Sequence, residues 1–362
     1  MGSRRFPTEI VDLQAEPFNA PLNEPFTIAT GSKSEARNVL IRLKLKSGVV
    51  GYGEGAGSAA AGRADQEADL RRARAAGGAL LGKDARSWRR LLEGVDRELE
   101  PRWGFLRAAL GMAVLDALAR QLRVPLRLFF GGAEERVASD VTVTIVPPSK
   151  AASDARRIAA MGVKTIKIKV GVDLDEDLDR VLAVKSAAPK AKLFVDANQG
   201  YSPREAIELI RRLRKRRIEP LLFEQPVAKD DLKGLSDVAR LARVPVAADE
   251  SAQEPGDVAN LARMRAAQVV NIKLMKRGIL AACDVAACAR GLGLDLMIGG
   301  MVESSLAMGC AAHFAAGIGG FRIVDLDTPL WFKKSPTRGL SLGPGGVYEL
   351  SKVKAGIGAA PA

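Results

Sequence analysis

The period of apolar and polar side chains changes about a third of the way along the chain. Residues 38–45, Asn-Val-Leu-Ile-Arg-Leu-Lys-Leu, alternate at every second position. Ser47-Gly48 then marks a turn, and Val49–Tyr52 resumes the alternation, which predicts a β-hairpin. Asp65 to Leu81, Ser87 to Leu99 and Leu106 to Leu122 carry helical spacing, the last so rich in Ala and Leu that burial is expected. Residues 1–130 thus read as an α+β unit, strands first and helices after. From about Ala138 short apolar runs alternate with amphipathic ones. The runs are Val141–Val146, Thr165–Val170, Leu193–Val195, Leu221–Phe223, Val246–Ala248, Val269–Ile272, Asp295–Ile298 and Phe321–Val324. They recur about every 25 residues, the repeat of a β/α barrel, and eight strands are what closure requires. A doubly wound open sheet alternates similarly, but its Gly-rich first turn is missing: Gly162 and Gly171 make no dinucleotide fingerprint. Residues 131–330 are therefore expected to form an α/β barrel.

Composition narrows the chemistry. The 362 residues are 47% hydrophobic and 27% charged, enough to build a core and too apolar for wholesale disorder. One histidine, His313, excludes His-rich metal sites, and excludes Ser-His-Asp catalysis unless it is the base. Its place in Ala311-Ala312-His313-Phe314 reads as a packed side chain. Three cysteines, Cys283, Cys288 and Cys310, indicate a reducing compartment rather than a disulfide framework. The first residues lack an apolar leader core, and no run of about 18 apolar residues occurs. A soluble, cytoplasmic protein with no membrane contact is expected, and a homo-oligomer stays open. Lys and Arg (55) exceed Asp and Glu (42) by +13. The cluster Arg211–Arg217 reads as a nucleic-acid patch or as the basic C-terminal end of a helix. Without interleaved aromatics it forms no base-stacking platform, so no nucleic-acid partner is expected.

Candidate chemistry gathers at the C-terminal ends of the barrel strands, where such folds place their sites. Asp196 ends the third, Glu224 the fourth and Asp249 the fifth. Three converging carboxylates repel one another unless a hard divalent cation such as Mg2+ joins them. The alternative is that each caps a following helix. Lys167 and Lys169 share one face of the second strand by period two, and Lys273 ends the diametrically opposed sixth. Neighbouring cations are expected to lower their pKa toward the range useful for a base, about 7–8. A Schiff-base aldolase also uses a strand lysine, but it needs no carboxylate trio. Asp325 and Asp327 share a face after the last strand and suit either a substrate ammonium or a turn before Thr328-Pro329. Thr144, inward by the same alternation, is a candidate contact for a substrate carboxylate. Asn198 and Glu250 flank candidate ligands.

These segments resemble the muconate-lactonizing-enzyme subgroup of the enolase superfamily. Lys167-Ile168-Lys169, Asp196-Ala197-Asn198-Gln199, Glu224-Gln225-Pro226, Ala248-Asp249-Glu250-Ser251 and Asn271-Ile272-Lys273-Leu274-Met275-Lys276 carry the likeness in order and spacing, with Gly51-Tyr52-Gly53-Glu54 in the first unit. The likeness implies a (β/α)7β TIM-like barrel, 131–330, under an α+β capping domain, 1–130, completed by a tail of about 331–362. It implies Mg2+ on Asp196, Glu224 and Asp249, Lys169 and Lys273 as the acid/base pair, and Lys167 at the substrate carboxylate. Asp325-Leu326-Asp327 resembles the paired-aspartate motif with which dipeptide epimerases hold a free α-ammonium. The implied reaction is a two-base 1,1-proton transfer at the α-carbon of a dipeptide's second residue, through an enediolate. The alternatives on the same scaffold are a cycloisomerase, an o-succinylbenzoate synthase or an N-acylamino acid racemase. Ala-Glu epimerases carry an arginine after the first strand. Gly31 stands there in this chain, so a glutamate-bearing dipeptide is not expected to be strongly preferred. Lys33 is the nearby cation. Gly55-Ala56-Gly57-Ser58-Ala59-Ala60-Ala61, small and uncharged, implies an open pocket.

Overall fold

The computed structural model describes residues 6–57 and 65–362. A three-stranded antiparallel meander, Ile10–Ile28, Gly31–Leu45 and Val50–Gly55, leads the chain. Its turn at Ser47-Gly48 is closed by Leu45 N–H to Val49 O and Gly48 N–H to Leu45 O, as the alternation predicts. The long first strand has no such signature, because Pro17, Pro21 and Pro25 interrupt its pattern. It is tolerated because its continuous ladder runs on one side only; the other edge carries single contacts such as Lys333 N–H to Pro21 O at 3.0 Å, in which the proline supplies its carbonyl and not the missing N–H.

Helices Gln66–Gly78, Trp88–Glu98 and Gly104–Leu122 follow the meander. The third is buried along most of its length. It lies so close to the strand Val50–Gly55 that a Cβ at Gly53 would stand 1.9 Å from Ala109 O, and one at Gly51 2.3 Å from Ala113 O. The spaced glycines therefore set the helix-to-sheet distance.

Eight parallel strands follow: Val141–Val143, Thr165–Lys169, Lys192–Asp196, Phe223–Glu224, Val246–Ala248, Val269–Ile272, Asp295–Ile298 and Phe321–Val324. They pair in chain order. Asp140 N–H donates to Val324 O at 2.9 Å and joins the first strand to the eighth. The fold is the expected α/β barrel with an α+β unit in front. Two strands depart most from the expected bounds: the first ends at Val143 rather than Val146, and the fourth starts at Phe223 rather than Leu221. Apolar residues such as Ile166 and Ile168 face the surrounding helices, whereas Phe194, Ala247, Val269 and Met297 form a separate cluster.

The meander is tied to the barrel by a buried acid. Glu54 accepts from Asn38 Nδ2 at 2.7 Å, from Ser304 N–H at 3.0 Å and from Ala307 N–H at 3.2 Å. It thereby satisfies the N-terminus of helix Ser305–Ile318. Asn38 Nδ2 also donates to Val302 O at 3.0 Å.

His313 packs as its surroundings predict. Its Nδ1 accepts from Arg127 N–H at 3.1 Å, which leaves Nε2–H to donate to Ile357 O at 3.0 Å. Burial pushes its pKa down to about 4. A neutral native imidazole and a protonated unfolded one mean that stability is complete above about pH 6.5 and is lost as pH falls toward 4. The loss amounts to about 3 kcal/mol. The chain has one histidine, so its NMR titration can be read directly. A midpoint near 4 is expected, and one near 6.5 with the native fold retained would contradict this placement.

Candidate active site

The cavity at the C-terminal ends of the strands measures about 620 Å³. Barrel strands supply its floor, and the meander supplies its roof through Phe26, Ile28, Gly31, Lys33 and Ala56. Strand parity explains the floor. Lys167 pairs with Phe194 and Lys169 with Asp196 across the second and third strands, while Asp196 pairs with Glu224 across the third and fourth. Inward side chains therefore stand shoulder to shoulder.

The result is a buried lysine–carboxylate mesh. Lys167 Nζ lies 2.6 Å from Asp325, 2.8 Å from Glu224 and 2.9 Å from Asp196. Lys169 Nζ donates to Asp196 Oδ2 at 2.6 Å and to Asn198 Oδ1 at 2.9 Å. On the opposite side, Lys273 Nζ donates to Asp249 Oδ2 at 2.6 Å. Lys276 Nζ stands 2.8 Å from Asp249 Oδ1 and also donates to the Asp249 and Asn271 carbonyls. Asn271 Nδ2 donates to Glu224 Oε1 at 2.7 Å. A Cβ on Gly299 would lie 3.0 Å from Asn271 Oδ1 and 3.2 Å from Lys273 Cε, so glycine leaves the room that this lysine occupies.

Backbone strain concentrates here. Asn198, Gln199 and Gln225 have φ of 40°, 73° and 31°, in the left-handed region. Gln225 uses that turn to accept from Asp249 N–H at 2.9 Å and to donate to Ser251 Oγ at 2.8 Å, which fixes the fifth strand end.

Electrostatics run opposite to the sequence expectation for two lysines. Burial opposes the charge on Lys167, but Asp196, Asp325 and Glu224 outweigh it and hold its pKa well above the ordinary value. Lys273 is likewise raised: burial opposes its charge, but Asp249 and Glu224 dominate. The sequence weighed neighbouring cations, whereas the folded chain surrounds both ammonium groups with acids. Lys276 goes the other way, lowered by burial. Asp249 is held far below the usual carboxylate range, burial notwithstanding, by Lys273 and Lys276. Asp196 is similarly low against its burial because of Lys167 and Lys169. Glu224 is pushed up to about 8 by burial and by Asp196.

Three details differ from expectation. Asp325 is ion-paired to Lys167 rather than free, so one ammonium touches both the aspartate pair and the acid trio. Asp327 Oδ2 accepts from Thr142 N–H at 2.7 Å, while Oδ1 is buried and receives no hydrogen bond of good geometry. Thr144 is buried but does not line the cavity; Thr142, two residues earlier on the same face, does. The sequence reading named no role for Asn271 and Lys276, though both stand in a quoted motif, and missed Thr142 and the buried Asp140, whose two carboxylate oxygens have no hydrogen-bond partner. Inward parity with Lys273 was the available signal for Asn271. Ser58–Ala61 of the small-residue loop lie outside the described residues.

As placed, no three Asp, Glu, His or Cys side chains among the described residues close on one point. Ammonium groups lie between the acids instead. The donor set nonetheless fits Mg2+: three fully buried carboxylates from adjacent strand ends offer hard oxygens. Glu224 Oε2 and Asp249 Oδ1 face ammonium groups at 2.8 Å. Both are buried and receive no hydrogen bond of good geometry.

Residues 150–362 match the family described as Enolase C-terminal domain-like, and residues 11–131 match the Mandelate racemase / muconate lactonizing enzyme, N-terminal domain. The chain belongs to this branch of the enolase superfamily. It is 42% identical over 348 residues to the aromatic dipeptide epimerase of Herpetosiphon aurantiacus, covering 96% of this chain and 98% of that one. It is 38% identical over 334 residues to the L-Ala-D/L-Glu epimerase of Thermotoga maritima, covering 92% and 96%. The dipeptide epimerase of Enterococcus faecalis, solved with Mg and L-Leu-L-Tyr, superposes with a TM-score of 0.92 at 31% identity, covering 97% of this chain and 99% of that one.

If the acid trio holds Mg2+, the ion binds the native state alone, and saturation at about a hundred times Kd adds about 2.7 kcal/mol. For a chain this long that is a Tm rise of roughly 3 °C. Glu224→Gln should abolish the rise in a calorimetric scan. An equal rise in the variant would remove Glu224 from the ligand set.

Proposed function

We propose that this chain is a Mg2+-dependent dipeptide epimerase, with residues 131–330 as the catalytic barrel and residues 1–130 and 331–362 as its cap. One observation carries the reading. The Lys169 and Lys273 pair, on opposed strands, and the Asp325 and Asp327 pair line the same cavity. One pair serves an α-carbon, and the other serves an ammonium one residue away.

Asp196, Glu224 and Asp249 are the residues that would hold Mg2+. When bound, the ion supplies counter-charge to the substrate carboxylate as the α-proton leaves. Lys167, kept cationic by its acids, adds a fixed positive charge at the same carboxylate. With Asp249 on it, Lys273 rests as an ammonium and is the ready proton donor. Its base form requires that carboxylate to turn away. Lys169 works from the opposite face, its Nζ aimed by Asn198; while Lys273 is the ammonium, Lys169 must be the neutral amine, so that one accepts the α-proton as the other gives its own. Removal of the proton on one face and delivery on the other inverts the α-carbon.

Asp327 is raised to about 6 by burial and by Asp325, against hydrogen bonds from Thr142 N–H and Trp331, and Asp327 Oδ1 receives no hydrogen bond of good geometry. A substrate ammonium would supply the missing donor. The general test is incubation with Mg2+ and a dipeptide library in deuterated water, with α-deuterium read by mass. Asp327→Asn should lower kcat/KM for free dipeptides by roughly one to two decades and leave N-acetylated ones much less affected. A preference of the unmutated enzyme for N-acylated substrates would contradict the assignment and favour an N-acylamino acid racemase.

A further inference from the structure

Two buried charges of the barrel have no part in the proposed reaction. Asp177 and Arg180 stand one turn apart on the helix Leu174–Ala187, which follows the second strand, and are ion-paired there. Asp177 is fully buried and Arg180 is 2% exposed. Neither lines the cavity. A sealed pair of this kind is weak evidence for stability, because apolar residues of similar volume often serve as well. Its partners show what it does instead.

Asp177 Oδ2 accepts from Gly171 N–H at 2.7 Å, from Val172 N–H at 3.1 Å and from the Tyr201 hydroxyl at 2.5 Å. Gly171 and Val172 belong to the loop after the second strand, which ends at Lys169. Tyr201 belongs to the loop after the third. Burial and Asp177 both push the tyrosine pKa up, so its hydroxyl keeps the proton it donates. Arg180 Nη1 donates to Lys169 O at 3.3 Å, and its Nε donates to Val146 O at 2.8 Å, in the loop after the first strand. One carboxylate–guanidinium pair thus ties three successive strand ends together.

These ties converge on Lys169. Its carbonyl is held by Arg180, and the chain just beyond it by Asp177. Its Nζ is aimed by Asn198, in the left-handed region three residues before Tyr201. The two loops also interlock: Gly171 has φ of 108°, and a Cβ there would stand 2.5 Å from Ala197 O. The backbone of the lysine and the amide that aims its nitrogen therefore hang from the same carboxylate. Lys273 is supported differently. Asp249 holds its Nζ, and its carbonyl accepts from Lys276 N–H in the short helix that follows. Among the described residues, no hydrogen bond or ion pair joins Lys273 to Asp177, Arg180 or Tyr201.

We propose that Asp177, Arg180 and Tyr201 are positioning residues for Lys169 alone, and so act on one face of the α-carbon. This inference rests on the epimerase reading. Proton transfer is sensitive to placement, and an error near 1 Å costs about a hundredfold. Net epimerisation cannot reveal a one-sided effect, because the equilibrium constant ties its forward and reverse kcat/KM together. Loss of the α-hydrogen from each epimer can.

The experiment measures the initial rate of α-hydrogen wash-out in deuterated water, with Mg2+ present, from each epimer of a dipeptide that the wild type exchanges. Lys169→Ala identifies the epimer that depends on Lys169. Tyr201→Phe removes one hydroxyl and keeps the ring against Phe223. Arg180→Lys keeps the charge and loses the fork that spans Val146 and Lys169. Each should slow wash-out from the Lys169-dependent epimer by roughly ten- to hundredfold and leave the other epimer nearly unaffected. Taking the ratio of the two epimers within one preparation cancels any loss of folded enzyme. Equal slowing of both epimers, slowing of neither, or slowing of the opposite one overturns the assignment while leaving the epimerase reading intact. A wild type that exchanges no dipeptide removes that reading and this assignment with it.

Discussion

Burying acids and lysines together at one end of a barrel is the constraint from which the rest follows. None of these groups could be sealed alone, because an unpaired buried charge costs several kcal/mol. Sealed together, they fix one another. Lys167 bridges three acids from three strands, and Asp249 is shared by Lys273 and Lys276. The mesh holds each side chain in place before any substrate arrives. It also leaves three buried carboxylate oxygens without a hydrogen bond of good geometry: Glu224 Oε2 and Asp249 Oδ1, each held by an ammonium at 2.8 Å, and Asp327 Oδ1. Those oxygens are where a cation or a substrate ammonium has something to gain.

The meander completes the site through the same kind of contact. Glu54 reaches across to the N-terminus of helix Ser305–Ile318, and Asn38 grips the carbonyl of Val302, a residue that lines the cavity. A small apolar seam of Ala20, Leu22, Ala36, Val302, Trp331 and Phe332 lies beside it. The roof is therefore set in register with the seventh and eighth strand ends. The roof and the floor of the cavity are built by different parts of the chain and joined by one buried carboxylate.

Much of this was legible in the sequence, because a strand's two-residue period is a strong constraint. Once Lys167 and Lys169 are assigned inward, Asp196 on the next strand follows, and the expected strand ends place Glu224, Asp249, Lys273 and Asp325 in the same ring. What parity cannot say is who meets whom across strands. The raised pKa of Lys167 comes from acids on the third, fourth and eighth strands, and no local reading assembles that set. Lys276, quoted in a motif but given no role, escaped for a related reason: it sits on a short helix, Leu274–Arg277, and turns back onto Asp249. The first strand was missed because its prolines mask the alternation and are harmless only at a sheet edge.

The central claim is that two lysines on opposed strands serve opposite faces of one α-carbon. It is tested most directly by single-turnover exchange in deuterated water, with Lys169→Ala and Lys273→Ala each given both epimers of a good dipeptide. Each variant should fail to epimerise and should still wash the α-hydrogen out of one epimer only, the two variants choosing opposite epimers. If both variants exchange the same epimer, or either turns over at a near-normal rate, the two lysines do not divide the faces between them.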